Sequence, residues 1–270
     1  MTRIFLLACI TAAGLYAQRG VSGPQWRLAW HDEFDAAANS APDPAKWTYD
    51  VGKTGWGNAE LEEYTRSTAN AFQDGDGHLV IQAIKTNDAS GAGYTSARLK
   101  TQGLAAFTYG RVEARMKLPH GQGIWPAFWM LGSDIAAVGW PRCGEIDIME
   151  NIGKEPAVVH GTVHGPGYSG GNGIGAPYSL PAGAFADGFH VFTLQWQPES
   201  VEFAVDGSTY KRITPSDIPK GASWVYNHPF FLLLNVAVGG NWPGYPDATT
   251  QFPQRLLVDY VRVYSRIPGR

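Results

Sequence analysis

The sequence predicts an all-β fold, an antiparallel β-sandwich over residues 25–265, on three observations. Recurrent segments alternate apolar with polar residues or are rich in β-branched and aromatic side chains, as half-buried strands are. Gly (33) and Pro (18) are abundant and charged residues make up only 17%, a balance that short strands with many turns produce more readily than helices. No segment after residue 25 sustains a 3.6-residue apolar period.

The elements follow in order. "HLVIQAI" (78–84) and "GRVEARMKL" (110–118) alternate, and each has Gly, Asp or Pro close by. "FHVFTLQWQ" (189–197) and "SVEFAVDG" (200–207) do the same, and Asp206-Gly207 is a strong hairpin-turn signal. "FFLLLNVAV" (230–238) is a near-continuous apolar run, and "LLVDYVRVY" (256–264) alternates again. Length permits one domain of this size, and no linker or internal repeat divides it.

A net charge of −3 without a basic run leaves no electrostatic footprint for nucleic acid. No apolar run is long enough to cross a membrane as a stable helix. A monomer without nucleic-acid or membrane partners is expected. The first residues, "MTRIFLLACITAAGLYAQ", have the outline of a secretory signal peptide over 1–17, with cleavage after Ala17, so a secreted or periplasmic protein is expected. Cys9 in "LLAC" comes too early for a lipoprotein box, because too little apolar sequence precedes it. Cys143 is then the only remaining cysteine, which excludes an intramolecular disulfide. It shares strand parity with Glu145 and faces either the cleft or, as a small packed residue, the protein interior.

"GEIDIME" (144–150) carries the chemistry. On a regular strand Glu145 and Asp147 share one face, and Glu150 falls on the other. A β-bulge at Ile148-Met149 would return Glu150 to the face of its partners. Paired carboxylates are what glycosidic hydrolysis requires, one as acid and one as nucleophile or base. Crowding them raises at least one pKa and keeps one carboxyl protonated near neutrality. A solvated acidic edge strand is the alternative, and the flanking Ile146, Ile148 and Met149 argue for a packed strand instead. In "GIWPAFWML", Trp125 and Trp129 share a face with Ala127. Core packing and a stacking platform for sugars are both open to them, and composition favours the core.

"GEIDIMENIG" resembles the catalytic strand of glycoside hydrolase family 16 in its bulged form, Glu-x-Asp-x-x-Glu. The resemblance extends through "WHDEFD", "YGRVEARMKLPHGQGIWPAFWMLG", "WPRCGEIDIMENIG", "HGTVH", "FHVFTLQWQP", "NVAVGGNWPG" and "VDYVRVY", and is to the bacterial laminarinase-type endo-β-1,3-glucanases. It implies a concanavalin A-like β-jelly roll with an open cleft on the concave sheet. It implies Glu145 as nucleophile, Glu150 as acid and then base, and Asp147 as the group that orients Glu145. Trp125 and Trp129 become sugar-stacking residues, and Asn58, Arg98 and His164 contacts to glucosyl units of a β-glucan substrate. No cofactor is implied for catalysis. A structural calcium is implied away from the chemistry, held by backbone oxygens of Glu33 and Gly77 and by the Asp259 carboxylate.

"GWGNAELEEYT" (55–65) departs from the family pattern: Ala59 replaces an Asn, and Glu62-Glu63 stand where Gln and Tyr are expected. Subsite contacts and linkage preference are therefore open along that segment. His160 and His164 are four apart, a chelating spacing on a helix but one of about 13 Å on a strand, which argues against a zinc pair. The rival activities are a mixed-linkage β-1,3-1,4-glucanase and a galactan-type hydrolase on the same scaffold. A non-catalytic β-glucan-binding protein is disfavoured because all three acids are present.

Overall fold

The computed structural model describes residues 25–88 and 91–267. The expected signal segment and Cys9 lie outside them. In chain order the first strands are β1 (Trp26–Asp32), β2 (Thr48–Asp50), β3 (Glu62–Tyr64), β4 (Ala71–Gln73), β5 (Leu79–Asp88) and β6 (Gly91–Ser96). Next come β7 (Arg98–Lys100), β8 (Gly110–Lys117), β9 (Ile124–Gly132), β10 (Glu145–Glu150), β11 (Val158–His164) and β12 (Ile174–Ser179). The last are β13 (His190–Gln197), β14 (Ser200–Val205), β15 (Ser208–Ile213), β16 (Phe230–Val238) and β17 (Gln254–Arg266).

They pair into two sheets. The seven-stranded sheet has the order β12-β11-β10-β9-β16-β7-β2. The larger runs β15-β14-β13-β8-β17-β5-β6-β3, with β1 added on β17 and β4 on β5. All pairings are antiparallel except β3 with β6, which is parallel. Phe128, Met130, Ile146, Val163, Leu232 and Leu234 from the smaller sheet meet Val112, Ala114, Leu194, Trp196, Phe203 and Val261 from the larger in one buried core. Two sheets sharing one core across their inner faces make a sandwich.

All six segments quoted from the sequence are strands. Asp206 and Gly207 join β14 to β15 with φ of 50° and 80°, the left-handed pair that a tight two-residue hairpin demands. β1, β6, β12 and β15 were not marked as strands in the sequence, and the three-residue strands β2, β3, β4 and β7 are too short for a period of two to declare itself. A four-residue helix at Ile135–Val138 and a 3₁₀ turn at Gly170–Asn172 add the only helical residues among those described.

Candidate active site

The bulge in β10 is present. Glu145 and Asp147 pair with Leu131 and Trp129 of β9, and the register then slips so that Glu150 pairs with Ala127. Leu131, Trp129 and Ala127 alternate along β9 and so share one face. On the other side the same acids meet His164, Thr162 and His160 of β11, again one alternating set. Packing explains the slip: Ile148 and Met149, adjacent in sequence, are both buried in the core. Two successive apolar side chains point inward, and Glu150 is thereby returned to the face of Glu145 and Asp147.

Each acid has its own partner. Trp140 donates its indole N–H to Glu145 Oε2 at 2.9 Å. Trp125 donates to Glu150 Oε1 at 3.1 Å. His164 Nε2 lies 3.1 Å from Asp147 Oδ2 and 3.7 Å from Glu145 Oε1. Burial, then the charge of Asp147, pushes Glu145 up to about 8, against the pull of His164, the Trp140 bond and Arg98. Burial raises Asp147 as well, and contact with Glu145 opposes it. Burial, followed by Asp147, holds Glu150 well above the ordinary carboxylate range. Glu150 therefore keeps a proton at neutrality, as a general acid must. Glu145, with an indole N–H and an imidazole against it, is the carboxyl better prepared to bear charge.

The candidate sugar contacts lie across the same face. Asn235 of β16 pairs with Ala127, and Arg98 of β7 pairs with Asn235, so a row runs from Glu150 to Arg98. The Arg98 guanidinium sits 4.9 Å from the Trp56 ring centre and 4.6 Å from that of Trp129, and pairs with Asp50 at 3.0 Å. One face of Trp129 is thus already covered by the guanidinium. Trp129 also donates its N–H to Asn235 Oδ1 at 2.8 Å. Asn58 is half-buried, donates to Glu60 at 3.0 Å, and accepts the Asn241 N–H at 2.8 Å. His160 lies edge-on to Trp242 rather than beside His164, as the strand spacing requires.

Glu145, Asp147 and His164 form the one cluster of metal-ligand type among the described residues, with ligand atoms within 4.8 Å of one another. The residues expected to hold calcium lie elsewhere. Glu33 follows β1 and binds Arg262 at 2.9 and 2.6 Å. Asp259 sits where β17 slips register against β8, with Oδ2 at 2.5 Å from Arg115. Gly77, at φ +86°, lies against Asp35. The donor set is all oxygen, which suits a hard cation. Cys143 lies on the side of the sheet that carries Glu145, as its parity requires, but as a small packed residue closed off from the cleft: it is buried against Leu131, Phe231 and Leu233, and burial raises its thiol to about 11.

Three contributors had no role in the sequence reading. Trp140 precedes β10 by five residues and reaches back to Glu145, and its position in "WPRCGEIDIMENIG" was the available signal. Trp56 gives Arg98 its second aromatic face. Asn235 sits within an otherwise apolar strand, buried to 6% exposure, and a lone amide in such a run is itself a signal.

Comparisons with known proteins agree with this geometry. Glycosyl hydrolases family 16 matches residues 59–262. A beta-glucanase of Rhodothermus marinus is 43% identical over 270 residues, spanning 97% of this chain and 93% of its own. The laminarinase catalytic domain of Thermotoga maritima MSB8 superposes with a TM-score of 0.84 at 50% identity, covering 90% of this chain and 99% of its own. The endo-beta-1,3-glucanase of Pyrococcus furiosus gives 0.86 at 50% identity, covering 92% and 98%. With a bulged acidic strand and a match over most of its length, the chain belongs to glycosyl hydrolases family 16.

Proposed function

We propose that the protein is an endo-β-1,3-glucanase that cleaves internal bonds of laminarin-type β-glucan with retention of anomeric configuration. The observation that carries this reading is the bulge that brings Glu150 onto the face of Glu145 and Asp147, beside Trp125 and Trp129. The linkage rests on likeness to proteins named as laminarinases and endo-β-1,3-glucanases.

Glu150 hands its proton to the glycosidic oxygen while Glu145 attacks the anomeric carbon, forming a covalent glycosyl-enzyme. Glu150, now ionised, takes a proton from water, and that water displaces Glu145. Asp147, held by His164, keeps Glu145 oriented and shares its proton load. The chain's own carboxyls perform both steps. Export through residues 1–17, a monomeric state and a calcium at Glu33, Gly77 and Asp259 complete the proposal.

The test is hydrolysis of laminarin, lichenan and agarose side by side, with proton NMR of the first product. Laminarin cleavage with early β-anomer is expected. Early α-anomer would exclude the double displacement, and preference for agarose would exclude the glucanase.

A further inference from the structure

Beneath the Asn58–Trp129 side of the cleft lies a second pair of acids that the hydrolytic steps do not use. Glu60, Glu62 and Tyr64 alternate along one face, and all three are buried, at 8%, 0% and 1% exposure. Their hydrogen bonds have a forced direction. The Trp129 indole N–H is only a donor, so the Asn235 oxygen must face it, at 2.8 Å. The Asn235 amide nitrogen therefore faces Tyr64 and donates to its oxygen at 3.1 Å. The single Tyr64 proton is left for Glu60 Oε2, at 3.1 Å. Asn58 donates to the other oxygen, Oε1, at 3.0 Å. Glu60 thus accepts on both oxygens, which suits a carboxylate.

Glu62 has the complementary need. Its Oε2 accepts the Val238 N–H at 2.6 Å. Its Oε1 is buried and meets no N–H or O–H donor among the described residues. The neighbouring acid is Glu60, two residues earlier on the same face and also buried, and its carboxylate raises Glu62. Two neighbouring buried carboxyls hold one proton between them, because ionising both would place like charges side by side out of water. The charged and titratable groups around them are few. Tyr64 shares their strand, β16 offers only the Asn235 amide and the Val238 N–H, and Tyr94 pairs with Glu62 from β6. Arg98 of β7 reaches Tyr64 electrostatically, but its own partner is Asp50 of β2, which also holds Lys100.

We propose that Glu62 is a positioning residue: its carboxyl proton bonds to Glu60, and this pair orients Asn58 directly and Trp129 through Tyr64 and Asn235 for the glucan chain. Loss of that proton separates the two acids, releases the segment carrying Asn58 and weakens substrate binding, leaving the Glu145–Glu150 chemistry in place. Burial and the charge of Glu60 raise Glu62 to about 9, which puts the loss in the alkaline range. The binding half of the proposal rests on the glucanase reading above; the shared proton does not.

The discriminating variant is Glu62→Gln, whose amide donates to Glu60 and accepts from Val238 but does not ionise. Two measurements are compared with the parent across pH 5–10. The first is binding of a laminari-oligosaccharide in the Glu145→Gln background, where no turnover intervenes. Parent affinity is expected to fall about tenfold across one unit above the Glu62 pKa, while Glu62→Gln lacks that step and keeps only whatever fall the cleft acids Asp147 and Glu150 impose on both proteins. The second is melting temperature, which is expected to fall less steeply from pH 5 to pH 9 in Glu62→Gln. Glu62→Leu, which keeps bulk but no donor, is expected to raise KM severalfold with little change in kcat, and Glu62→Gln to restore it. Parallel affinity profiles, or superimposed melting curves, would overturn the proposal. If no oligosaccharide binds at any pH, the glucanase reading fails and the positioning role with it, while the melting curves still decide the shared proton.

Discussion

Trp140 donates its indole N–H to Glu145 at 2.9 Å although its own side of the cleft is open, the residue being 49% exposed. That bond favours the ionised nucleophile and opposes the rise caused by burial and Asp147. Trp140→Phe keeps the ring and removes the donor, so Glu145 should hold its proton to higher pH. A hydrogen bond to a charged group is worth about 1.5–3 kcal/mol, so kcat/KM at neutral pH should fall roughly tenfold. The acid limb of the pH–rate profile should move upward, and an unshifted limb would sever Trp140 from the nucleophile.

Trp125 bears the same relation to Glu150, at 3.1 Å, but the consequence is opposite. Its bond pulls Glu150 down against burial, so Trp125→Phe should raise that carboxyl further. The acid then stays protonated longer and the alkaline limb of kcat should move to higher pH, leaving the acid limb in place. KM should also rise, because Phe offers a smaller platform to a sugar. The two variants together assign the two limbs.

Glu145→Gln should abolish laminarin hydrolysis and stabilise the fold in a defined pH window. The folded protein holds the Glu145 proton up to about 8, against 4.5 for an ordinary glutamate. A raised folded pKa means that this group's contribution is intact below 4.5 and is lost as pH climbs through about 8. The variant escapes that loss, which accumulates at about 1.4 kcal/mol for each pH unit between the two values, so its melting temperature at pH 8 should be clearly the higher. At pH 4 the two proteins should melt alike. Equal melting at pH 8 would mean that Glu145 is already ionised at no cost.

Gly173 tests the site from a loop that contributes no side chain to it. A methyl group there would lie 2.3 Å from His164 Cε1 and 2.6 Å from its Nδ1. The imidazole would have to shift, and with it the 3.1 Å contact to Asp147. Gly173→Ala should lower kcat at least about tenfold, since positional errors near 1 Å are costly. Circular dichroism should remain that of the parent, because Gly173 is outside the strands.

Calcium should raise the melting temperature without changing kcat. Glu33, Gly77 and Asp259 offer oxygen donors, and Arg115 competes for the Asp259 carboxylate. Arg115→Gln should therefore strengthen the calcium response. Melting curves in EDTA and in added calcium that coincide would dismiss the ion.

The strands of the core were legible because their alternation is written into ten residues or fewer. Even the bulge could be read, since Ile148 and Met149 break the alternation with two consecutive apolar residues. Glu62 was legible only as a departure. Its place beneath the cleft, with Glu63 exposed beside it, follows from β3 pairing with β6 and abutting β16. Cys143 kept the parity of Glu145 and is the small packed residue that its type suggests, because Leu131, Phe231 and Leu233 cover it on that face.

The amino-acid order alone determined the sandwich, the acidic strand and the fault in it, because period, turn chemistry and bulge are local properties of neighbouring residues. Tertiary structure decided which acid each indole serves, that Arg98 rests between Trp56 and Trp129, and that Glu62 is buried against the Val238 N–H. Those are matters of desolvation and hydrogen-bond partnership, supplied by strands far apart in the chain: Asn235 and Tyr64 lie 171 residues from each other and share one hydrogen bond.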